Sequence, residues 1–331
     1  MKKTNFKKIL FIRVGAIGDV IHTLNAPRAI KELYPEVNIH YLSSMPDEFM
    51  NYMPFIDKHI HYGNIQLTSI FSKDFKDFAN TLKKEKYDVV INLQPSIKTR
   101  LLARLAGIKN VYNYHKRNSR HAVIDHWLTA KRAFPEITLP EDLDFRLSPE
   151  LTAIIKDKVK NFNSPYIVFN SGHVFAKRQG RTYPIEKWVE LGNKIQEKYN
   201  GTIIITGVKA DAEVLRPLEK IKNSVSFVDK LTLEENSALL GCANLVISGD
   251  SGPLHIASAL GVKVLGLFGS MPITRTGPYG KNCHTITSPK NCAPCNRRKC
   301  KYLRKSKELY APCMKEIEVD KIFEKVCEIL N

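Results

Sequence analysis

The stretch LVISGDSGPLHIASALGVKVLGL (Leu245–Leu267) decides the fold. Leu245–Ser248 is a short apolar run that predicts a strand. Gly249-Asp250-Ser251-Gly252 is turn chemistry, and Pro253 stands in the first turn of a helix over Pro253–Leu260, where its missing N–H costs nothing. Val262–Leu267 returns as a second apolar strand. Strand, helix and strand in that length form one βαβ unit, and two strands so joined lie parallel. Ser251 and Gly252 set free backbone N–H groups at the helix N-terminus, where an anion such as a diphosphate is attracted. Helix-cap chemistry without a ligand would account for Asp250 to Pro253 as well. His255 is either part of that site or a packed, hydrogen-bonded histidine.

The same alternation runs outward in both directions. Carboxyl to an opening strand at Tyr166–Asn170, helices are expected at Ile185–Tyr199, Asp211–Ile221 and Leu233–Cys242. Strands are expected at Thr202–Thr206 and Ser224–Val228, and a last helix at Val319–Leu330. The amino-terminal half reads as strand Lys8–Val14, helix Val20–Leu33, strand Val37–Leu42, helix Phe75–Glu85, strand Asp88–Leu93 and helix Ile97–Ala106. Pro27 lies inside the first of these helices, so its early turns are expected to bend or start late. Pro135–Pro149, with three prolines and four acids, reads as a linker. The expected fold is α/β, with two doubly wound parallel-sheet domains at 1–150 and 151–331 and a cleft between them. Ligands in such sheets sit beyond the carboxyl ends of the strands.

Two loops at predicted strand ends carry further chemistry. Gly15-Ala16-Ile17-Gly18-Asp19 follows the first strand, in a spacing that is not the dinucleotide fingerprint G-x-G-x-x-G. Asp19 is either a helix-capping carboxylate or a base placed to take a proton from a hydroxyl. Ser171–Lys187 carries Lys177, Arg178 and Arg181 after Tyr166–Asn170. These cations would neutralise a leaving diphosphate, or else form a solvated loop.

Composition narrows the classes. The 331 residues are 43% hydrophobic and 25% charged, which is globular rather than disordered. No apolar run approaches the roughly 18 residues that span a bilayer. The basic start is broken by Arg13 and Asp19, so it is read as a cytosolic first strand instead of a signal peptide. The net charge of +18 is concentrated. Residues 97–132 and 281–310 each hold nine Lys/Arg and one acid, and together supply +16. The first segment, with Lys98, Lys116, Arg117 and Arg120, suits an anionic partner and would also attract an anionic lipid surface at about 1 kcal/mol per cation. A solvated helix face is the alternative. The second, basic segment 281–313 overlaps Cys292, Cys295, Cys300 and Cys313. Crowded cysteines in a cytosolic chain read as reduced structural thiols, with zinc as the alternative, although only the first pair has zinc-ligand spacing.

IRVGAIGDVIHT (Ile12–Thr23), Arg178–Trp188 with Pro184 and Trp188, and DSGPLHIASA (Asp250–Ala259) resemble, in this order, glycosyltransferase family 9, the lipopolysaccharide heptosyltransferases. INLQPSIKTRLLARLAG (Ile91–Gly107) and the cysteine-rich Cys292–Met314 also look like family segments. The resemblance implies a GT-B fold of two facing Rossmann-like domains, the first binding the acceptor and the second the nucleotide sugar. It implies Asp19 as catalytic base, with Gly18 beside it. Arg181 and, in the same loop, Lys177 would meet the donor phosphates, as would Asp250, Ser251, Gly252 and His255. Leu231 would pack on the adenine and Asp211 meet the ribose. Lys98, Lys116, Arg117 and Arg120 would face the acceptor. The donor would be ADP-heptose and the acceptor an anionic lipopolysaccharide core, Kdo-lipid A or its heptosylated form. The enzyme would be cytoplasmic, touch the inner membrane surface peripherally, and need no cofactor or metal at the diphosphate. A GT-B transferase of another nucleotide sugar is the nearest alternative. A basic nucleic-acid-binding protein is the alternative of another class, disfavoured because aromatics do not interleave with the basic runs.

Overall fold

The computed structural model describes residues 4–63, 65, 69–171, 181–297, 299–304, 306 and 308–331. The chain divides into two compact units, Met1–Arg146 and Leu147–Asn331. The break falls within the segment 135–149.

In the first unit the elements follow as β1 (Lys8–Ile12), α1 (Ile17–Ile21), α2 (Asn25–Leu33), β2 (Asn38–Ser43), α3 (Asp47–Met50) and β3 (Lys58–His61). They continue as α4 (Lys73–Lys84), β4 (Val89–Asn92), α5 (Ile97–Leu105), β5 (Asn110–Asn113) and α6 (Ala122–Lys131). Among the described residues the sheet has five strands, all parallel, in the order β3-β2-β1-β4-β5. Central β1 is a fully buried apolar run after Lys8. Every strand therefore ends on one edge, and the loops entering α1, α4, α5 and α6 share it.

The helix expected over Val20–Leu33 is two helices. Pro27 has no N–H to give Thr23 and its ring would strike that residue's carbonyl, so it stands in the first turn of α2. The junction is fixed by Thr23, whose hydroxyl donates to the Val20 carbonyl and meets the Tyr41 hydroxyl at 2.6 Å.

The second unit runs α7 (Pro149–Val159), β6 (Tyr166–Asn170), α8 (Ile185–Tyr199), β7 (Thr202–Thr206), α9 (Ala212–Leu215), β8 (Ser224–Ser226) and α10 (Leu233–Gly241). After these come β9 (Leu245–Gly249), α11 (Gly252–Ala259), β10 (Val264–Phe268), α12 (Ile273–Thr276), β11 (Cys283–Thr287), α13 (Pro312–Lys315) and α14 (Val319–Leu330). Among the described residues its parallel sheet has six strands in the order β11-β10-β9-β6-β7-β8. The segment expected as one helix over Asp211–Ile221 is a 3₁₀ turn at Lys209–Asp211, the short α9, and a second 3₁₀ turn at Arg216–Lys220 around Pro217. Pro217 withholds a helical donor and breaks the run. Trp188, Phe169 and Tyr183 form the aromatic centre of this core, with the Phe169 and Trp188 rings 4.7 Å apart. The amphipathic α14 closes it with Ile322, Val326 and Ile329.

No helix among the described residues is long and apolar enough to cross a membrane.

Candidate active site

In the first unit, Asp19 lies in the first turn of α1, just beyond the carboxyl end of β1. It is not the helix cap. That position belongs to Ala16, and no side chain caps the helix. The carboxylate is instead tethered: Asp19 Oδ2 lies 2.7 Å from an Arg13 guanidinium nitrogen, and its side chain remains 48% exposed. Arg13 is buried, and its other terminal nitrogen donates to the Leu93 carbonyl at 2.7 Å, tying β1 to the end of β4. One carboxylate oxygen is thus anchored. The other has no hydrogen-bond or ion-pair partner among the described residues, so it is available to accept a proton. Gly18 precedes it in the same turn and is half-buried.

The acceptor candidates stand on the same sheet edge. Ser96 caps α5 by accepting the Lys98 N–H at 3.2 Å, and the Lys98 ammonium donates to the Ile65 carbonyl and lies over the Phe75 ring. Lys116 and Arg117 are exposed on the loop from β5 to α6. The buried Asp125 fixes that loop. It accepts the Arg117 backbone N–H at 3.1 Å and lies 3.7 Å from the Arg120 guanidinium. Since β1 and β4 are neighbours and β5 follows β4, Asp19 and these cations belong to adjacent strand ends.

In the second unit, the donor candidates gather beyond β9, β6, β7 and β8, which are consecutive in the sheet. Lys177 and Arg178 lie outside the described residues, as does Arg298 of the cysteine-rich segment. Arg181 is described. Its guanidinium lies 3.4 Å from Asp250 Oδ2, while Asp250 Oδ1 meets His255 Nε2 at 3.4 Å. Asp250 is therefore a buried bridge between a cation and a histidine, and its charge is spent on holding them. Ser251 is the residue before α11, yet its side chain does not cap the helix. Its hydroxyl lies 2.8 Å from that of Ser248, and each lies 3.4 Å from Asn170 Oδ1, so two hydroxyl protons are shared among three contacts. The first-turn N–H groups of α11 are left to attract an anion. Gly249 explains how the Arg181 segment comes so near: a Cβ there would meet the Arg181 carbonyl oxygen at 2.4 Å.

Asp211 is buried in its 3₁₀ turn, in the loop after β7. Leu231 is half-buried in the loop after β8, and the two loops are joined by the Asp229 N–H donating to the Gly207 carbonyl.

Three residues escaped the sequence reading: Arg13, Asn170 and Ser248. Arg13 left a signal, a cation ending an apolar strand six residues before an acid. Asn170 and Ser248 left none, because polar residues at strand ends are common.

The four crowded cysteines are all free thiols. Among the described residues no group of three or more His, Cys, Asp or Glu is arranged to hold a metal ion. Burial, and then the nearby Cys300, Cys292 and Cys295, push the Cys313 thiol up to about 12.

Comparison with known proteins adds to this geometry. The sequence profile of glycosyltransferase family 9 (heptosyltransferase) matches residues 76–305. The lipopolysaccharide core heptosyltransferase OpsX of Haemophilus influenzae is 26% identical over 302 residues, 82% of each chain. Among solved structures, the family 9 glycosyl transferase from Veillonella parvula superposes with a TM-score of 0.83 at 19% identity, over 99% of this chain and 98% of that one. The E. coli heptosyltransferase WaaC with ADP-2-deoxy-2-fluoro heptose superposes with a TM-score of 0.70 at 19% identity, over 97% and 99%.

Proposed function

This chain belongs to glycosyltransferase family 9, the heptosyltransferases, and from that membership we propose that it moves a heptose from ADP-heptose to the Kdo and heptose inner core of lipopolysaccharide with inversion. A curated relative acts on the lipopolysaccharide core, and a solved relative holds an ADP-heptose analogue. The observation that carries the reading for this chain is Asp19. It is a carboxylate at a strand's carboxyl end, unused as a cap, anchored by Arg13 through one oxygen and open at the other.

Chemistry follows from these positions. As the acceptor oxygen bonds to the anomeric carbon, Asp19 takes its proton. The bond from that carbon to the phosphate oxygen breaks on the opposite face, and ADP leaves with the electron pair. Charge growing on the diphosphate is met by Arg181, by Lys177 of the same loop, and by the N-terminus of α11. Asp250 and His255 hold Arg181 in place. Leu231 and Asp211 serve the adenine and the ribose. Lys98, Lys116, Arg117 and Arg120 receive acceptor carboxylates and phosphates. In this reading the first unit binds the acceptor and the second the donor, and no metal serves the diphosphate. The enzyme works in the cytoplasm against the inner membrane surface and does not bind nucleic acid.

The test is incubation with ADP-heptose and a Kdo-bearing lipid A acceptor, followed by mass analysis. A gain of one heptose is expected in the wild type and none in Asp19→Ala, with ADP still bound by the variant. Transfer from a UDP- or GDP-sugar alone, or wild-type turnover in Asp19→Ala, would overturn the assignment.

A further inference from the structure

Phe71 and Ile97 are the most exposed large hydrophobic side chains of the described residues, at 80% and 81%. Neither exposure comes from a frayed end. Ser72 caps α4 by accepting the Phe75 N–H, and Ser96 caps α5 by accepting the Lys98 N–H, so Phe71 immediately precedes one fixed helix and Ile97 opens the other. An apolar residue just before a cap usually packs on the fourth helical residue, but here that residue is Lys76. Both helices start where parallel strands end, so the two residues share one edge of the sheet. Lys98, next to Ile97, lies over the ring of Phe75 on α4 and links the two starts.

The surround is cationic. Residues 93–121 hold seven Lys/Arg and no Asp or Glu, of which Lys98, Arg100, Lys116, Arg117 and Arg120 stand towards this edge, and Arg104 and Lys109 towards the opposite one. Exposed Arg100 stands on α5, and Lys73 on α4 is offset by Asp74. Exposed aromatic and aliphatic side chains within a basic surface match the headgroup boundary of an anionic membrane, where the rings and branches enter and the cations meet phosphate.

We propose that this edge docks the enzyme on an anionic phospholipid bilayer, with Phe71 and Ile97 entering the headgroup boundary between the cations. The proposal rests on the reading above, which sets the enzyme against the inner membrane surface, and names the edge that meets the lipid. Lipid binding itself needs neither donor nor acceptor.

The full chain is sedimented with phosphatidylcholine vesicles and with vesicles containing phosphatidylglycerol, all free of lipopolysaccharide. Binding is expected only to the anionic vesicles and should weaken as salt is raised. The double variant Phe71→Ser/Ile97→Ser should lose at least about tenfold in partitioning, the loss expected when two apolar side chains no longer leave water. Leu105→Ser, at the far end of α5, should bind as the wild type does. Transfer to a delipidated, water-soluble acceptor should be unchanged in the double variant, which separates a failure of docking from a failure of the proposed reaction. Wild-type protein that stays in the supernatant, a double variant that sediments normally, or equal loss in Leu105→Ser would overturn the proposal.

Discussion

Arg13 does two things with one side chain. Its fork donates to the Leu93 carbonyl and to Asp19, so the carboxylate's direction depends on a buried group fixed to the neighbouring strand. Lysine keeps the charge but cannot span both partners. Arg13→Lys is therefore expected to lower kcat by about 10- to 100-fold through misplacement of the base, leaving ADP affinity unchanged. Steady-state kinetics beside calorimetric ADP titration check this, and a variant impaired only in donor KM would contradict it. Gly249 makes the opposite kind of demand, for empty space. A methyl at 2.4 Å from the Arg181 carbonyl must push a backbone segment away. Gly249→Ala should cost about 1–3 kcal/mol of stability and weaken ADP binding as Arg181 leaves Asp250. An unchanged ADP affinity would mean that Arg181 does not serve the donor.

Strands buried on both faces and helices with a clean apolar stripe were legible residue by residue. The observed β6, α8, β7 and α14 have the bounds expected from the sequence, because a continuous apolar run or a clean apolar stripe has one solution. The half-exposed edges were not legible. KHIH in β3, NVYN in β5 and CHTIT in β11 are only partly buried, so hydrophobicity does not mark them. The α6 sequence AVIDHWLTAK buries Asp125 and His126 along with alanine and valine, which erases the stripe. In the site, turns with cap chemistry pointed to Asp19 and to Asp250–Gly252, whereas Arg13 and Asn170 act across strands and are invisible to local spacing. One long-range tie is testable. Glu85, before β4, receives hydrogen bonds from Lys58 of β3, at 2.9 Å, and from Lys8 of β1, which hold its carboxyl near 2, below the usual 4.5. The folded carboxylate stays charged where the unfolded one takes a proton. The stability it adds is therefore complete above pH 4.5 and is lost as pH falls towards 2. With its side chain 24% exposed, Glu85→Gln should cost only about 1 kcal/mol at pH 7 after screening. Denaturant melts at pH 7 and pH 3 should show the wild-type advantage shrinking in acid.

Over the whole molecule, the +18 excess is two deposits with different surroundings. In the carboxyl-terminal deposit, Lys290 pairs with Glu316 outside the basic run at 2.6 Å, and the run's one acid, Glu308, pairs with Lys315 beyond it. The first-unit deposit reaches the edge that carries Asp19 through Lys98, Lys116, Arg117 and Arg120, and Lys116 and Arg117 stand exposed there. Exposed contacts to the proposed, multiply charged acceptor would be screened once the Debye length shrinks below about 10 Å, whereas the Arg181–Asp250 pair at the turn before α11 is better shielded. Raising NaCl from about 50 to about 300 mM should therefore raise the KM of a delipidated acceptor several-fold, and the ADP-heptose KM by less than about twofold. Replacing Lys116 and Arg117 with serine should flatten the acceptor's salt dependence. Replacing exposed Lys299 and Lys301 should leave it as it was. Equal salt slopes for both substrates, or flattening by the carboxyl-terminal pair, would move the acceptor away from the first unit's basic edge. The charge that dominates this chain's composition would then serve something other than the sugar acceptor.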